Sequence, residues 1–338
     1  MGGALTSDGN EKYQSDEVQV KANALRIVSI RPMNAIALHH ISKRFGTHLA
    51  VDDLSLDVPA GSVYGFIGPN GSGKTTTIRM ILHILLPDSG RIEVFGDPRT
   101  DSARDKIGYL PEERGLYKKM KVLRLLRYYG RLKGKSLSDI DKNINRWIDQ
   151  MGLRPWLDKP VEALSKGMAQ KVQFIAAVVS GPDLLILDEP FSGLDPVNAE
   201  VLKDAVLEVQ RGGATIVFST HDMSVAERMC DRIFMIYKGR KVLDGTMDQI
   251  QAAYGADTVR VRVDGGAAML RALPEVTSVN DYGQLQEVRC ADPQALLAAL
   301  VARARVQHFE ITRPSLHDIF VRIARPSAVE LAQEALHA

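Results

Sequence analysis

Cysteine is scarce in this sequence of 338 residues, which contains only Cys230 and Cys290. Neither cysteine lies in a C-x-x-C pattern, so a disulfide framework and a zinc site are both disfavoured, and a reducing, cytosolic setting fits. Long hydrophobic runs are also missing, because no apolar stretch reaches the roughly 18 residues that span a bilayer. The stretch "FIAAVVSGPDLLIL" comes nearest, but polar and turn residues interrupt it.

A strong net charge is lacking as well. The sequence has 43 basic and 41 acidic residues and a formal charge of +2, which gives no basis for predicting a nucleic-acid groove. We therefore expect no nucleic-acid partner. The remaining composition, 45% hydrophobic and 25% charged, is that of an ordinary globular protein with one large domain or two modest ones.

Hydrophobic patterning divides the chain into three parts. Residues 1–34 are polar and aperiodic and are predicted to be a disordered extension. Strands and helices alternate over 35–245, which predicts an α/β domain with a parallel sheet and a helical insertion between 115 and 180. Shorter strands and helices over 256–325 predict a small α+β domain, in which no catalytic cluster is visible.

Two segments of the α/β part have the clearest patterns. The stretch "DLLILDE" is almost continuously apolar, which is typical of a central parallel strand covered on both faces. The stretch "GKTTTIRMILHILL", residues 73–86, predicts a helix with one apolar face.

The stretch "GPNGSGKTT" fits the phosphate-loop pattern G-x-x-x-x-G-K-[ST] between a predicted strand and a predicted helix. Glycines let backbone N–H groups turn inward around a phosphate chain, and the helix start adds partial positive charge. Lys74 is expected to reach the β and γ phosphates, and the Thr75 hydroxyl to ligate Mg²⁺. The predicted nucleotide-binding residues of the loop are Gly68, Pro69, Asn70, Gly71, Ser72, Gly73, Lys74, Thr75 and Thr76.

Three polar residues follow predicted strands at the edge where a ligand of a parallel sheet binds. Asp188 ends "LLILD" and is expected to hold Mg²⁺, while Glu189 is free to act as a general base on water. His221 follows "ATIVFST" and is interpreted as a sensor of the γ phosphate.

The phosphate loop together with "LSKGM", "LLILDEP", "SGLDP" and "FSTH" resembles the ATP-binding cassette (ABC) ATPases in order and spacing, over residues 36–240. The resemblance implies a P-loop NTPase fold with a parallel-sheet core, an antiparallel subdomain and a helical subdomain. The tail ending in "PSLHDIF" is similar to the extra C-terminal domain on ATP-binding subunits of some ABC exporters. The stretches "GYLPEERGLYKKM" and "LSKGM" look most like the subgroup associated with sodium or drug export.

Site roles follow from that resemblance. It implies that Phe45 stacks on adenine, that Asp188 holds the metal and that Glu189 is the catalytic glutamate. It makes His221 the switch histidine and Asp195 the aspartate of a loop at the dimer interface. Glu112 stands where the family has a glutamine that touches Mg²⁺ and the attacking water, so the implied metal-site residues are Thr75, Asp188 and Glu112.

The segment Ser165, Lys166, Gly167, Met168, which we call the signature, departs from the family pattern L-S-G-G-Q at two positions. Lys166 replaces a glycine and Met168 replaces the glutamine, while Ser165 and Gly167 remain. In the family this segment acts on the nucleotide held by a second subunit, so the resemblance implies an ATP-dependent homodimer.

The resemblance further implies ATP and Mg²⁺ as cofactors, ATP hydrolysis, and an exporter driven through a separate membrane-spanning permease subunit. The chain is then expected to be cytoplasmic and peripheral on the inner face of the cell membrane. Rival interpretations are a soluble ABC ATPase without a transport role, a GTPase and a non-catalytic regulator. The first usually has two cassettes or long coiled coils, the second an N-K-x-D motif, and neither feature is present.

Overall fold

The computed structural model describes residues 34–98, 104–113, 115–254 and 258–324. The predicted disordered extension lies outside these residues up to 33, and Asn34 already begins the first strand. In the described ranges no helix is both long enough and apolar enough to cross a bilayer.

A six-stranded sheet forms the centre of the α/β part, with strand order β5-β6-β7-β3-β8-β9. Its first five strands run parallel, and β9 is antiparallel to β8. Strands β3, β6 and β7 are buried along their whole length, as their near-continuous apolar sequences predict. The strands are β3 (Val63–Ile67), β5 (Ile107–Leu110), β6 (Leu184–Asp188), β7 (Thr215–Thr220), β8 (Arg232–Tyr237) and β9 (Arg240–Gly245).

An antiparallel sheet of order β2-β1-β4 covers one side of this core. Its strands are β1 (Asn34–Phe45), β2 (His48–Pro59) and β4 (Ser89–Val94). Helix α1 (Lys74–Ile81) lies between the two sheets, since Ile78 shares a buried cluster with Leu38 and Phe66. The expected antiparallel subdomain is therefore present.

The helical insertion follows β5, as the sequence predicts. It contains α2 (Val122–Leu132), α3 (Leu137–Gln150) and α4 (Lys166–Val178), with 3-10 turns at Arg154–Trp156 and Val161–Ala163. Trp147 and Phe174 meet edge to face at 5.7 Å between ring centroids, which fastens α3 to α4. The remaining helices of the α/β part are α5 (Pro196–Arg211) and α6 (Met223–Met229).

The prediction of a helix over 73–86 is wrong at its C-terminal end, because α1 stops at Ile81. His83 takes a left-handed φ of 52°, and the N–H groups of Ile84 and Leu85 both donate to the carbonyl of Arg79. Proline at position 87 also disfavours helix in the residue before it. The turn leaves Ile84 more than half exposed beside the helical insertion.

The C-terminal part, which we call the appendage, is a four-stranded antiparallel sheet of order β11-β12-β10-β13 with two helices on one face. A connecting helix α7 (Met247–Ala253) precedes it. Its elements are β10 (Thr258–Val263), α8 (Gly266–Arg271), β11 (Val276–Asp281), β12 (Gln286–Cys290), α9 (Pro293–Arg303) and β13 (Val306–Thr312). A closing helix, α10 (Leu316–Ala324), leaves this core and packs on the α/β part.

Candidate nucleotide site

The phosphate loop connects β3 to α1, and two of its glycines are required by close backbone approaches. A Cβ on Gly68 would lie 2.2 Å from the carbonyl oxygen of Ile236, and a Cβ on Gly73 would lie 2.5 Å from that of Ala50. Gly73 also takes a left-handed φ of 113° where it caps α1. Larger residues at these positions would push the loop out of its place.

Lys74 opens α1 and is almost fully buried. Its Nζ donates to the carbonyls of Gly68 at 2.7 Å and Pro69 at 3.2 Å, and lies 3.7 Å from Glu189 Oε1. Burial lowers the pKa of Lys74 from its ordinary value, and the carboxylates of Glu189, Asp188 and Glu112 oppose that change. One lysine thus faces three carboxylates, so an anionic nucleotide would need a further cation there.

Asp188 ends β6 at 1% exposure, and its two oxygens have different surroundings. Oδ1 accepts from Ser219 Oγ at 2.5 Å and from Thr75 Oγ1 at 3.4 Å. Oδ2 is buried without a hydrogen-bond partner in the described structure. A buried carboxylate oxygen that lacks a donor fits a site for a hard cation such as Mg²⁺.

The described side chains supply few ligands for a metal ion. Among the described residues no group of three or more His, Cys, Asp or Glu side chains could hold a metal ion. One carboxylate and one hydroxyl instead match Mg²⁺, which keeps several waters and shares its coordination with substrate phosphates. The residues present therefore fit the group that the sequence predicts.

Glu189 follows in a left-handed conformation, with φ of 49°, which is uncommon for a residue with a side chain. Its N–H donates to Ser219 Oγ at 3.0 Å, and its carboxylate lies 3.0–3.1 Å from His221 Nδ1. His221 directly follows β7, and its side chain is 55% exposed, whereas the side chain of Glu189 is buried.

A cavity of about 380 Å³ is lined by the phosphate loop and Glu189. Phe45, at the end of β1, is 47% exposed and lines this cavity rather than the core. Glu112, after β5, lines the same cavity. The complete lining is Phe45, His48, Ala50, Asn70, Gly71, Ser72, Gly73, Lys74, Thr75, Thr76, Glu112 and Glu189.

The signature forms a second polar surface at the start of α4. Ser165 caps that helix by accepting from the N–H of Met168 at 3.3 Å. A Cβ on Gly167 would lie 3.3 Å from Asn198 Nδ2, so the start of α5 packs beside it. Asp195 caps α5 through the N–H of Asn198 at 3.0 Å, and that hydrogen bond lowers the pKa of Asp195.

Two residues that organise the site were not predicted from the sequence. Ser219 bridges Asp188 and the backbone of Glu189; it lies inside "FSTH", of which only the histidine was expected to act. Gln173 of α4 donates to the carbonyls of Pro111 at 3.0 Å and Glu113 at 3.3 Å, which fastens the segment that carries Glu112. The only sequence signal for the role of Gln173 was a glutamine among apolar residues of a predicted helix.

Two family models match the chain. One, described as ABC transporter, covers residues 51–192, and one described as ATP-binding protein DrrA1-3-like, C-terminal domain, covers residues 245–324. The first contains the phosphate loop, Asp188 and Glu189 but ends before His221, and the second contains the appendage.

Curated relatives extend over most of the chain. An uncharacterized ABC transporter ATP-binding protein, YhaQ of Bacillus subtilis, is 41% identical over 85% of this chain and 97% of its own length. A Nod factor export ATP-binding protein I of Cupriavidus metallidurans is 34% identical over 85% and 96% respectively. A solved ATP-binding subunit of an ABC transporter is 31% identical, with a TM-score of 0.62 over 65% of this chain and 93% of that one.

Proposed function

The chain belongs to the ABC transporter family, as an ATP-binding and ATP-hydrolysing subunit of a transporter, and from this premise we propose that it powers export through a separate membrane-spanning subunit. The observation that carries the enzymatic part is a chain of contacts, in which Thr75 meets Asp188, Lys74 meets Glu189, and Glu189 meets His221. The sequence motifs predict sodium or a drug as the cargo, and that stays a prediction.

We assign nucleotide binding to the cavity beside the phosphate loop. Phe45 supplies an exposed ring for adenine at one end, and the loop N–H groups and Lys74 receive the phosphates at the other. Thr75 and Asp188 would hold Mg²⁺, with Glu112 in reach of its waters. The metal would offset the charge of the β and γ phosphate oxygens beside three carboxylates.

Hydrolysis needs one proton acceptor and one group that stabilises the charge of the transition state. Glu189 accepts a proton from water as the water oxygen bonds to the γ phosphorus and the bond to the bridging oxygen of ADP breaks. Lys74 and His221 donate to the oxygens of the phosphoryl group in transfer. The left-handed turn at Glu189 supports this assignment, since strained backbone of this kind concentrates at active sites.

We further propose that the site is completed by a second copy of the chain. Ser165 caps a helix whose remaining N–H groups can face a phosphate of the partner, and Asp195 lies at the neighbouring helix start. Lys166 adds positive charge there. The departures from the family pattern at Lys166 and Met168 retain Ser165 and Gly167, the two residues that would face the phosphate. One phosphate loop and one signature per chain then give two sites per homodimer.

The membrane partner is assigned to a groove between α1 and the helical insertion. This cavity of about 370 Å³ is lined by Ile84, Leu132 and Tyr129, with Lys133 at its edge. Ile84 and Leu132 are more than half exposed, which favours a covering partner. A cytoplasmic segment of the permease would occupy the groove and hold the chain at the inner face of the cell membrane.

A mixing experiment tests the shared site. Lys74→Ala protein and Ser165→Arg protein should each be inactive, whereas an equal mixture should recover about a quarter of wild-type turnover, because half the dimers are mixed and each has one intact site. A mixture as inactive as its components would contradict the shared site.

Co-purification tests the transport role. The tagged chain should co-purify from detergent-solubilised membranes with a membrane-spanning protein, and consistent recovery without one would contradict the transport role.

A further inference from the structure

The closing helix α10 belongs by sequence to the appendage but packs against the ATPase core. Leu316 and Ile319 are fully buried in a cluster that includes Ile67 of β3 and Ala226 of α6. Phe320 meets Tyr237, the last residue of β8, edge to face at 5.6 Å between ring centroids. This helix is therefore a direct connection between the appendage and the ATPase part.

The helix that α10 covers, α6, starts immediately beyond the switch residue. Only Asp222 separates His221 from the first residue of α6, and Asp222 caps that helix through the N–H groups of Ser224 and Val225. A helix of seven residues has little stability of its own, so its position depends on what packs against it. The placement of His221 beside Glu189 thus depends on the contacts of α6.

Glu227 supplies the polar contact between the two helices. Its carboxylate accepts a hydrogen bond from the backbone N–H of Leu316, the first residue of α10. That N–H has no partner within its own helix, and a carboxylate at a helix start also interacts well with the helix dipole. Ser315 and Asp318 pair with each other's backbone N–H groups at 3.2 and 3.1 Å, so Glu227 complements a cap that is otherwise internal to α10.

The other side of α10 is fastened to the segment that leads into the appendage. Arg322 donates to the carbonyl of Tyr254 at 3.1 Å, and Gln251 of α7 donates to the carbonyl of Pro314 at 3.1 Å. Arg322 also donates to Thr258 Oγ1 of β10 at 3.4 Å, so a shift of the appendage would move α10, and through Glu227 it would move α6. The contacts of α10 thus form one mechanical path from the appendage to His221.

We propose that Glu227 is a positioning residue for ATP hydrolysis, which holds α6 against α10 so that His221 stays in register with Glu189. The inference deepens the proposed function and rests on the role proposed for His221. Among the described contacts, Glu227 touches neither the phosphate loop nor another residue of the nucleotide site, so its effect on catalysis must pass through α6.

The test measures kcat and KM for ATP in the full-length chain. Glu227→Ala should lower kcat about tenfold and change KM less than twofold, because placement of a catalytic group affects the transition state more than binding. Glu227→Gln keeps a carbonyl acceptor for the Leu316 N–H and should recover most of the loss. Glu310→Ala, on the exposed face of the appendage, is the matched control and should behave as wild type.

A double mutant separates positioning from general destabilisation. In a His221→Ala background, Glu227→Ala should cause no further loss of kcat, and hydrogen exchange of residues 223–229 should be faster in Glu227→Ala than in wild type. If the two losses multiply, or if Glu227→Ala retains wild-type kcat, positioning of His221 by Glu227 is overturned. Phe320→Leu, which weakens the same contact from α10, should give a smaller loss in the same direction and serves where Glu227→Ala fails to fold.

The catalytic role of His221 and its positioning by Glu227 fail in different ways. A fully active His221→Ala protein would overturn the proposed role of His221 and its positioning together. An inactive His221→Ala protein beside a fully active Glu227→Ala protein would overturn only the positioning role.

Discussion

The nucleotide edge of the α/β part and the appendage are both sheets with helices packed on them, yet they treat polar groups differently. At the nucleotide edge, Lys74, Asp188, Glu189 and Ser219 are buried side by side where parallel strands end. On the open face of the appendage, charged residues pair across strands, as Arg260 does with Glu287 at 4.0 Å. The carboxyl ends of parallel strands bring side chains of different charge together in one place, which is where ligands of such sheets bind.

Backbone strain follows the same division. In the described appendage, positive φ angles occur only at the glycines Gly265, Gly266 and Gly283, whereas six non-glycine residues of the α/β part take them, Glu189 at the nucleotide site among them. A glycine adopts that conformation without steric cost, but a glutamate adopts it only where the surroundings hold it. The appendage is thus relaxed, and the site is constrained.

Replacing one glutamate by glutamine in each region is expected to give the largest difference in kcat between the two regions. Glu189→Gln removes the proton acceptor and should lower kcat by about 10²–10⁴ while ATP still binds, because general-base catalysis contributes about that much. Glu310→Gln, at an exposed position of the appendage, should leave kcat within twofold of wild type. Steady-state hydrolysis together with nucleotide binding measures both, and a Glu189→Gln protein that hydrolyses ATP normally would rule out the general-base role.

Glycine substitutions test the constraint itself. Gly68→Ala places a Cβ 2.2 Å from the carbonyl oxygen of Ile236 and should cost at least about 2 kcal/mol of unfolding free energy together with most ATP affinity. Gly283→Ala meets no atom within 4 Å and should cost only the left-handed strain, about 1 kcal/mol, with ATP affinity intact. Denaturant unfolding and nucleotide titration give the two numbers, and equal costs at both glycines would remove the distinction.

The sequence predicts the site better where the information is local. The phosphate loop and the acids at the end of β6 follow from neighbouring residues, because a turn or a strand end is decided within a few positions. The fold class follows from strand and helix alternation, which needs only periodicity. These features are present where the sequence places them.

What the sequence could not predict depends on contacts between distant segments. The end of α1 depends on a turn at His83 rather than on the apolar run through Leu86. Gln173 finds its partners about 60 residues away, and Glu227 meets Leu316 at a separation of 89 residues. No local pattern marks such pairs, since each residue is also acceptable as an ordinary helix residue.

The smallest and most discriminating test compares two helix starts that use the same local device. Asp195 caps α5 and Asp292 caps α9, each is followed by proline, and each accepts backbone N–H bonds at 2.8–3.2 Å. Replacing either aspartate by alanine should destabilise the fold by a similar amount, because the same kind of cap is lost. Equilibrium unfolding should therefore hardly distinguish the two variants.

The two variants should differ in their effect on activity. The N–H of Asn198 lowers the pKa of Asp195 below its ordinary 3.8, so the ionised cap stabilises the fold above that pH and loses its effect as pH falls through the lowered value. Near neutral pH, Asp195→Ala should also weaken ATP-dependent dimerisation, measured by light scattering with a Glu189→Gln background, whereas Asp292→Ala should not. If both variants dimerise like the parent, Asp195 serves only as a helix cap. The proposed dimer contact is then limited to the signature.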